Sequence, residues 1–143
     1  MQRDLIISQS IDINASPAAV WHALTTPEII KEYLFGTQTI TDWQVGSDII
    51  FQGEYDGQTY RDKGVILENK PNEQLSYSYW SGFSGLDDKP ENYSTVTYTL
   101  TPQDDTHTVF TWTQEGYASQ EAYEHSKNGM SAFLEQIKAI MER

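Results

Sequence analysis

From its first residues the chain alternates. Leu5, Ile7, Ile11 and Ile13 interleave with Ile6, Ser8, Ser10 and Asp12, the period of two expected of a strand with one buried face. The period then changes. Asn14 or Ser16 is placed to cap a short helix with Pro17 at its first position and Val20, Trp21 and Leu24 as its apolar stripe. Thr26 and Pro27 repeat that opening for a second helix, whose buried side is Ile29, Ile30, Tyr33, Leu34 and Phe35 and whose end is Gly36. Alternation returns after Gly46, with Ile49, Ile50 and Phe51, and Asp56-Gly57 carries the two-residue hairpin signal. Tyr60 to Glu68 reads as the next strand and Asn69-Lys70-Pro71-Asn72 as a turn. Leu75, Tyr77 and Tyr79 then alternate with Ser76, Ser78 and Trp80. Val96, Tyr98 and Leu100 alternate with threonines, Pro102-Gln103-Asp104-Asp105 turns the chain, and Phe110 and Trp112 resume the alternation.

The last segment switches to helical spacing. Ser119 caps a helix running roughly to Glu142, with Glu121 and Glu124 in its first turns, where a carboxylate meets the positive end of the helix dipole. Ala122, Ser126, Met130, Phe133, Ile137 and Ile140 or Met141 form one apolar face. Together these elements predict an α+β protein: a curved antiparallel sheet of about six or seven strands wrapped around a long C-terminal helix, with two short helices after the first strand. Such a sheet encloses a space against its helix. The inward positions are Leu75, Tyr77, Tyr79, Val96, Tyr98, Leu100, Phe110, Trp112 and Gln114, faced by Met130, Phe133 and Ile137, with Tyr33 and Phe35 closing the helical side. Two outcomes are open: these side chains wall a ligand cavity, with area for affinity and phenols for orientation, or they fill the core.

Composition narrows the classes. The 143 residues suit one domain over the whole chain, and 38% hydrophobic with 13% aromatic residues is ordinary for a packed protein. There is no cysteine, which removes thiolate nucleophiles and cysteine-ligated metals and fits a cytoplasmic location. Net charge is -12 and the basic residues are scattered singly, so no nucleic-acid or membrane partner is expected. No apolar run is long enough to span a bilayer, and Met1-Gln2-Arg3-Asp4 leads into the first strand with no signal-peptide core behind it. A monomer without cofactor or metal is expected.

Several stretches resemble a known family. Ile13-Asn14-Ala15-Ser16-Pro17-Ala18-Ala19-Val20-Trp21 followed by Leu24-Thr25-Thr26-Pro27-Glu28 resembles the opening of START-like, helix-grip proteins. Val45-Gly46, the run Gly64 to Leu75, and Gln114-Glu115-Gly116-Tyr117 are similar to the branch related to the C-terminal domain of the activator of the ninety-kilodalton heat-shock-protein ATPase. Members of that branch often carry Gly-Gly where this chain has Val45-Gly46, Gly-Trp where it has Gly129-Met130, and Trp where it has Tyr79, with Trp80 one place later. The resemblance implies the helix-grip fold and non-covalent binding of a small hydrophobic, aromatic or lipid-like molecule between sheet and helix. It also implies two alternatives: cyclase, dehydratase or hydrolase chemistry in the same space, or an interaction module in contact with a chaperone. In the branch, the chaperone-activating role belongs to larger proteins with an additional domain.

Candidate chemistry is thin. His22, His107 and His125 show no metal-ligand spacing, and only His125, beside Ser126 on the apolar stripe, is a candidate base at a cavity mouth. Glu54, Asp56, Arg61, Asp62 and Lys63 read as ion pairs on the outer face of one hairpin, and Glu54 and Glu115 as the carboxylates able to turn inward. Ser81 to Glu91, the longest loop, with Phe83 and Leu86 as apolar anchors, is expected to gate the cavity.

Overall fold

The computed structural model describes residues Met1–Arg143. β1 (Gln2–Ile13) leads into α1 (Pro17–Leu24) and α2 (Pro27–Tyr33); β2 (Gln38–Ile40), β3 (Asp48–Tyr55), β4 (Gln58–Lys70), β5 (Gln74–Tyr79), β6 (Ser94–Asp104) and β7 (His107–Tyr117) follow, and α3 (Gln120–Glu142) closes the chain. The strands form one antiparallel sheet in the order β1-β7-β6-β5-β4-β3-β2. This is the helix-grip arrangement: a meander whose first strand returns to pair with its last, closing the sheet around α3.

Local sequence explains most boundaries. Ser16 caps α1 by accepting from the Ala19 amide at 3.1 Å, and Ser119 caps α3 by accepting from Ala122 at 3.1 Å. Thr26 holds the N-cap position of α2, its carbonyl accepting from the Ile30 amide at 2.9 Å, but its side chain makes no capping bond; its hydroxyl donates back to the His22 carbonyl at 2.5 Å, which joins α1 to α2. Asp56 and Gly57 have φ of 51° and 78°, the left-handed pair of a type I′ hairpin turn whose twist matches the flanking strands. The other two turns lie slightly later than the sequence suggests. β4 runs through Lys70 and turns at residues 71–73, and β6 runs through Asp104 and turns at residues 105–106. Strand β2 carries only three residues, too few for a period of two to register.

The two faces of the sheet differ as the alternation demands. On the outer face, Ser8 meets Thr113 at 2.9 Å and Ser10 meets Thr111 at 2.7 Å across β1 and β7. On the inner face, Leu75, Val96, Tyr98, Leu100 and Phe110 are buried against Ile13, Val20, Leu24 and Tyr33 from the start of the chain and Leu134 and Ile137 from α3. Leu134, not on the stripe read from the sequence, is one of the best-buried helix residues. The C-terminal half of α3 is also tied down polarly. Lys138 donates to the Asp12 carbonyl at 2.6 Å and Glu142 accepts from the Asn14 amide at 2.7 Å. No helix is long and apolar enough to cross a membrane.

Candidate ligand cavity

The dense core ends where α3 thins. Its last turns present Leu134 and Ile137 to the core, whereas its earlier turns present Ser126 and Gly129 beside Met130 and Phe133, and a Cβ added at Gly129 would meet nothing within 4 Å. Beneath that half lies a cavity of about 680 Å³ lined by 19 residues, 12 of them hydrophobic, a size that suits a drug-sized ligand.

Seven of the twelve residues singled out from the sequence line it: Phe35, Tyr77, Tyr79, Val96, Trp112, Met130 and Phe133. The other five, Tyr33, Leu75, Tyr98, Phe110 and Ile137, do not line it and are buried in the core, each 4% exposed or less, with Tyr98 packed between the lining residues Tyr77 and Trp112. Phe35 does not supply the buried side of α2. It stands 76% exposed at the rim, held at a φ of 53° just before Gly36, whose amide bonds the Lys31 carbonyl at 2.8 Å to close the helix end. Tyr55 and Phe83, 72% and 59% exposed, stand at the same rim.

The wall is a continuous run of aromatic contacts. Phe51 touches Tyr77 with ring centres 5.6 Å apart, Tyr77 meets Tyr98 at 5.6 Å, Tyr98 meets Trp112 at 4.7 Å, and Trp112 meets Phe133 of α3 at 5.1 Å. Most of these pairs are tilted or edge-to-face, the geometry the ring quadrupoles favour. The hydroxyls of Tyr77 and Tyr98 bond each other at 2.6 Å, and Tyr60 bonds Thr37 at 2.5 Å. Burial pushes the Tyr77 and Tyr98 phenols well above the ordinary value. Tyr98→Phe, which strands the buried Tyr77 hydroxyl, is expected to lower stability by about 1–3 kcal/mol. Adding Tyr77→Phe should cost less than the single changes summed, because no unpaired hydroxyl is then left; urea unfolding of the three variants checks this.

The charged hairpin is organised differently from its sequence reading. Arg61 makes no ion pair, and Lys63 reaches Asp88 of the following loop and lies 5.9 Å from the Trp80 ring centre. Asp62, expected on the outer face, points inward: it is 7% exposed and lines the cavity. Its Oδ2 accepts from the Tyr79 hydroxyl at 2.5 Å, while its Oδ1 is buried and accepts nothing. Burial first, and then the neighbouring Asp62 carboxylate, hold the Tyr79 phenol well above its usual value. Tyr79 therefore keeps its proton and is the donor of the pair. Of the carboxylates expected to turn inward, Glu54 reaches the rim, whereas Glu115 is exposed away from the cavity. His125 lines the mouth; His22 and His107 lie on the surface. The signal for Asp62 was its parity: it shares a face of β4 with buried Gly64 and Ile66.

A second orphan sits in the same wall. The Trp112 indole N–H is buried without an acceptor. Two lining residues thus hold one unused acceptor and one unused donor, both closed from solvent, in a wall that also carries Thr37, Glu54, Gln114, His125 and Ser126. No group of three His, Asp or Glu side chains is placed to hold a metal ion.

The loop expected to gate the cavity is partly built. Residues 82–84 and 90–92 form single helical turns, Ser81 accepts from the Phe83 amide at 3.2 Å, and the Trp80 indole donates to the Leu86 carbonyl at 3.2 Å. Phe83 from this loop packs on Tyr60 with ring centres 6.0 Å apart and lines the cavity; Leu86 does not.

Comparison with known proteins agrees with this architecture. Residues 14–142 match the family described as activator of Hsp90 ATPase homolog 1-like protein. The chain belongs to that family. Among solved structures, a protein from Cytophaga hutchinsonii is similar over 99% of this chain and 97% of its own, with 40% identity and a TM-score of 0.83. An Hsp90 activator from Plasmodium falciparum shares the fold at 20% identity and a TM-score of 0.74, each chain covered over 96%. The Aha1 dimer from Colwellia psychrerythraea shares it at 19% identity and a TM-score of 0.73, again with 96% of each chain covered. No curated protein sequence matches the chain.

Proposed function

We propose that this family member binds a small hydrophobic or aromatic molecule non-covalently in the cavity between β3–β7 and the N-terminal half of α3. One observation carries the reading: beneath Ser126, Gly129, Met130 and Phe133 of α3 lies an aromatic-walled space of about 680 Å³, whereas its later turns pack Leu134 and Ile137 into the core.

The test is a thermal-shift screen against lipids, flavonoid-like aromatics and polyketide-like rings, run on the wild type and on Gly129→Phe, which adds a ring at a residue of the cavity lining. Dose-dependent stabilisation of the wild type that Gly129→Phe loses supports the cavity. Stabilisation that is equal in both places the ligand elsewhere. Hydrogen exchange over residues 81–91 with and without a responding ligand tests the gate: slower exchange on binding is expected, and equal protection removes it.

A second reading, contact with a chaperone, is favoured by the exposed Phe35, Tyr55 and Phe83 around the mouth and by the family itself. Titration of the labelled protein with purified Hsp90 should then broaden signals around these three residues; an unchanged spectrum removes it.

A further inference from the structure

We propose that the cavity is selective for neutral or cationic ligands whose apolar body carries an N–H or O–H donor, and that Asp62 is the group that recognises the donor. The proposal rests on the cavity reading above and adds to it the ligand's polar chemistry. Its starting point is the half-used carboxylate. Asp62 is 7% exposed; one of its oxygens accepts from Tyr79, and the other is closed from solvent with no donor. A carboxylate has room for about four hydrogen bonds, and a buried acceptor left unpaired is costly and uncommon. Such an arrangement persists where something else completes it.

The surroundings make no provision of their own. No lysine or arginine lines the cavity; its ionisable lining is Glu54, Asp62 and His125, besides the tyrosines. The two cations adjacent in sequence, Arg61 and Lys63, fall on the opposite face of β4 by alternation, where Lys63 is engaged by Asp88. No basic side chain of Lys or Arg therefore faces Asp62 within the wall of a chain whose net charge is already -12. An anionic head, such as a fatty-acid carboxylate, would meet Asp62 and Glu54 with no lysine or arginine to receive it. An amine or hydroxyl would instead supply the missing donor to Oδ1, while Tyr79, locked as donor to Oδ2, holds the carboxylate in place. Hydrogen bonds to a charged group in a low-dielectric site are among the stronger ones.

The test uses four probes with one aromatic body: naphthylmethylamine, naphthylmethanol, methylnaphthalene and naphthoic acid, titrated at neutral pH and followed by calorimetry and by the signals of Tyr77, Tyr79 and Trp112. The amine and the alcohol are expected to bind about tenfold or more tighter than methylnaphthalene, and naphthoic acid about tenfold or more weaker. Asp62→Asn should cancel the amine's advantage and leave methylnaphthalene within about twofold of its wild-type affinity. Tyr79→Phe keeps the carboxylate and should retain the amine preference, so the ranking remains decisive even where Asp62→Asn does not fold. Equal binding of amine, hydrocarbon and acid to the wild type would overturn the role of Asp62 and leave the cavity standing. Failure of all four probes to bind would remove both.

Discussion

Titrated with base, the protein is expected to hold its fold to about pH 10 and then to unfold within roughly two pH units. The cause is the buried phenols. Tyr33, Tyr77 and Tyr98 are buried and Tyr79 is half-buried against Asp62, and burial is the leading reason that each keeps its proton well above the ordinary tyrosine value. The direction follows from linkage. In the unfolded chain these groups ionise near pH 10, while in the folded protein they do not. Above that pH the unfolded state therefore binds fewer protons, and stability falls as pH rises. Each such phenol reduces the folding constant about tenfold per pH unit, and four acting together reduce it about ten-thousandfold per unit, enough to consume a typical margin of 5–15 kcal/mol quickly. The buried set should ionise in one step, coincident with loss of circular dichroism. Tyrosinate absorbance rising gradually past about pH 12 with the fold retained would show that these hydroxyls are not enclosed.

Gly64→Ala is expected to be the most damaging single substitution, lowering stability by about 3 kcal/mol or more. A Cβ at Gly64 would land on the Ser78 carbonyl oxygen and lie 2.5 Å from its carbonyl carbon. Both are backbone atoms, so no rotamer change relieves the overlap. The close approach is built into the strand pairing. Lys63 and Trp80 exchange backbone bonds at 2.8 and 3.0 Å, and the next β4 amide, Val65, is satisfied by the Ser78 hydroxyl at 2.9 Å rather than by a backbone carbonyl. The same pinch brings Tyr79 of β5 within reach of Asp62 on β4, so prising these strands apart should weaken the site as well as the fold. Gly129→Ala is the matched control. Its Cβ meets nothing within 4 Å, and alanine in a helix interior should add up to about 1 kcal/mol. Denaturant unfolding of the two variants should move in opposite directions, and a tolerated Gly64→Ala would contradict the packing described.

The sheet was legible because its strands obey a period of two over long runs and its hairpin turn carries Asp56-Gly57, while β2 was not, because three residues show no period. The site was legible in part. Alternation placed Leu75, Tyr77, Tyr98, Phe110 and Trp112 on one face but could not divide wall from core. That division depends on which half of α3 lies above each residue, and so on the contrast of Ser126 and Gly129 with Leu134 and Ile137. Asp62 went unrecognised for a different reason: a carboxylate within a charged hairpin reads as solvated, although the parity that buries Ile66 also buries Asp62 four residues earlier. Phe35 shows the reverse error, since an aromatic at a helix end reads as buried while the left-handed turn before Gly36 directs it to the rim.

The central claim is that an accessible cavity lies beneath the first half of α3. The most direct measurement follows the four tryptophan indole N–H signals while methylnaphthalene and then naphthylmethylamine are added. Trp112 lines the cavity with its N–H unpaired, whereas Trp21 and Trp43 lie outside it. The account predicts a saturable shift of the Trp112 signal with Trp21 and Trp43 unmoved. A Trp112 signal that stays fixed while either probe saturates the protein would contradict it.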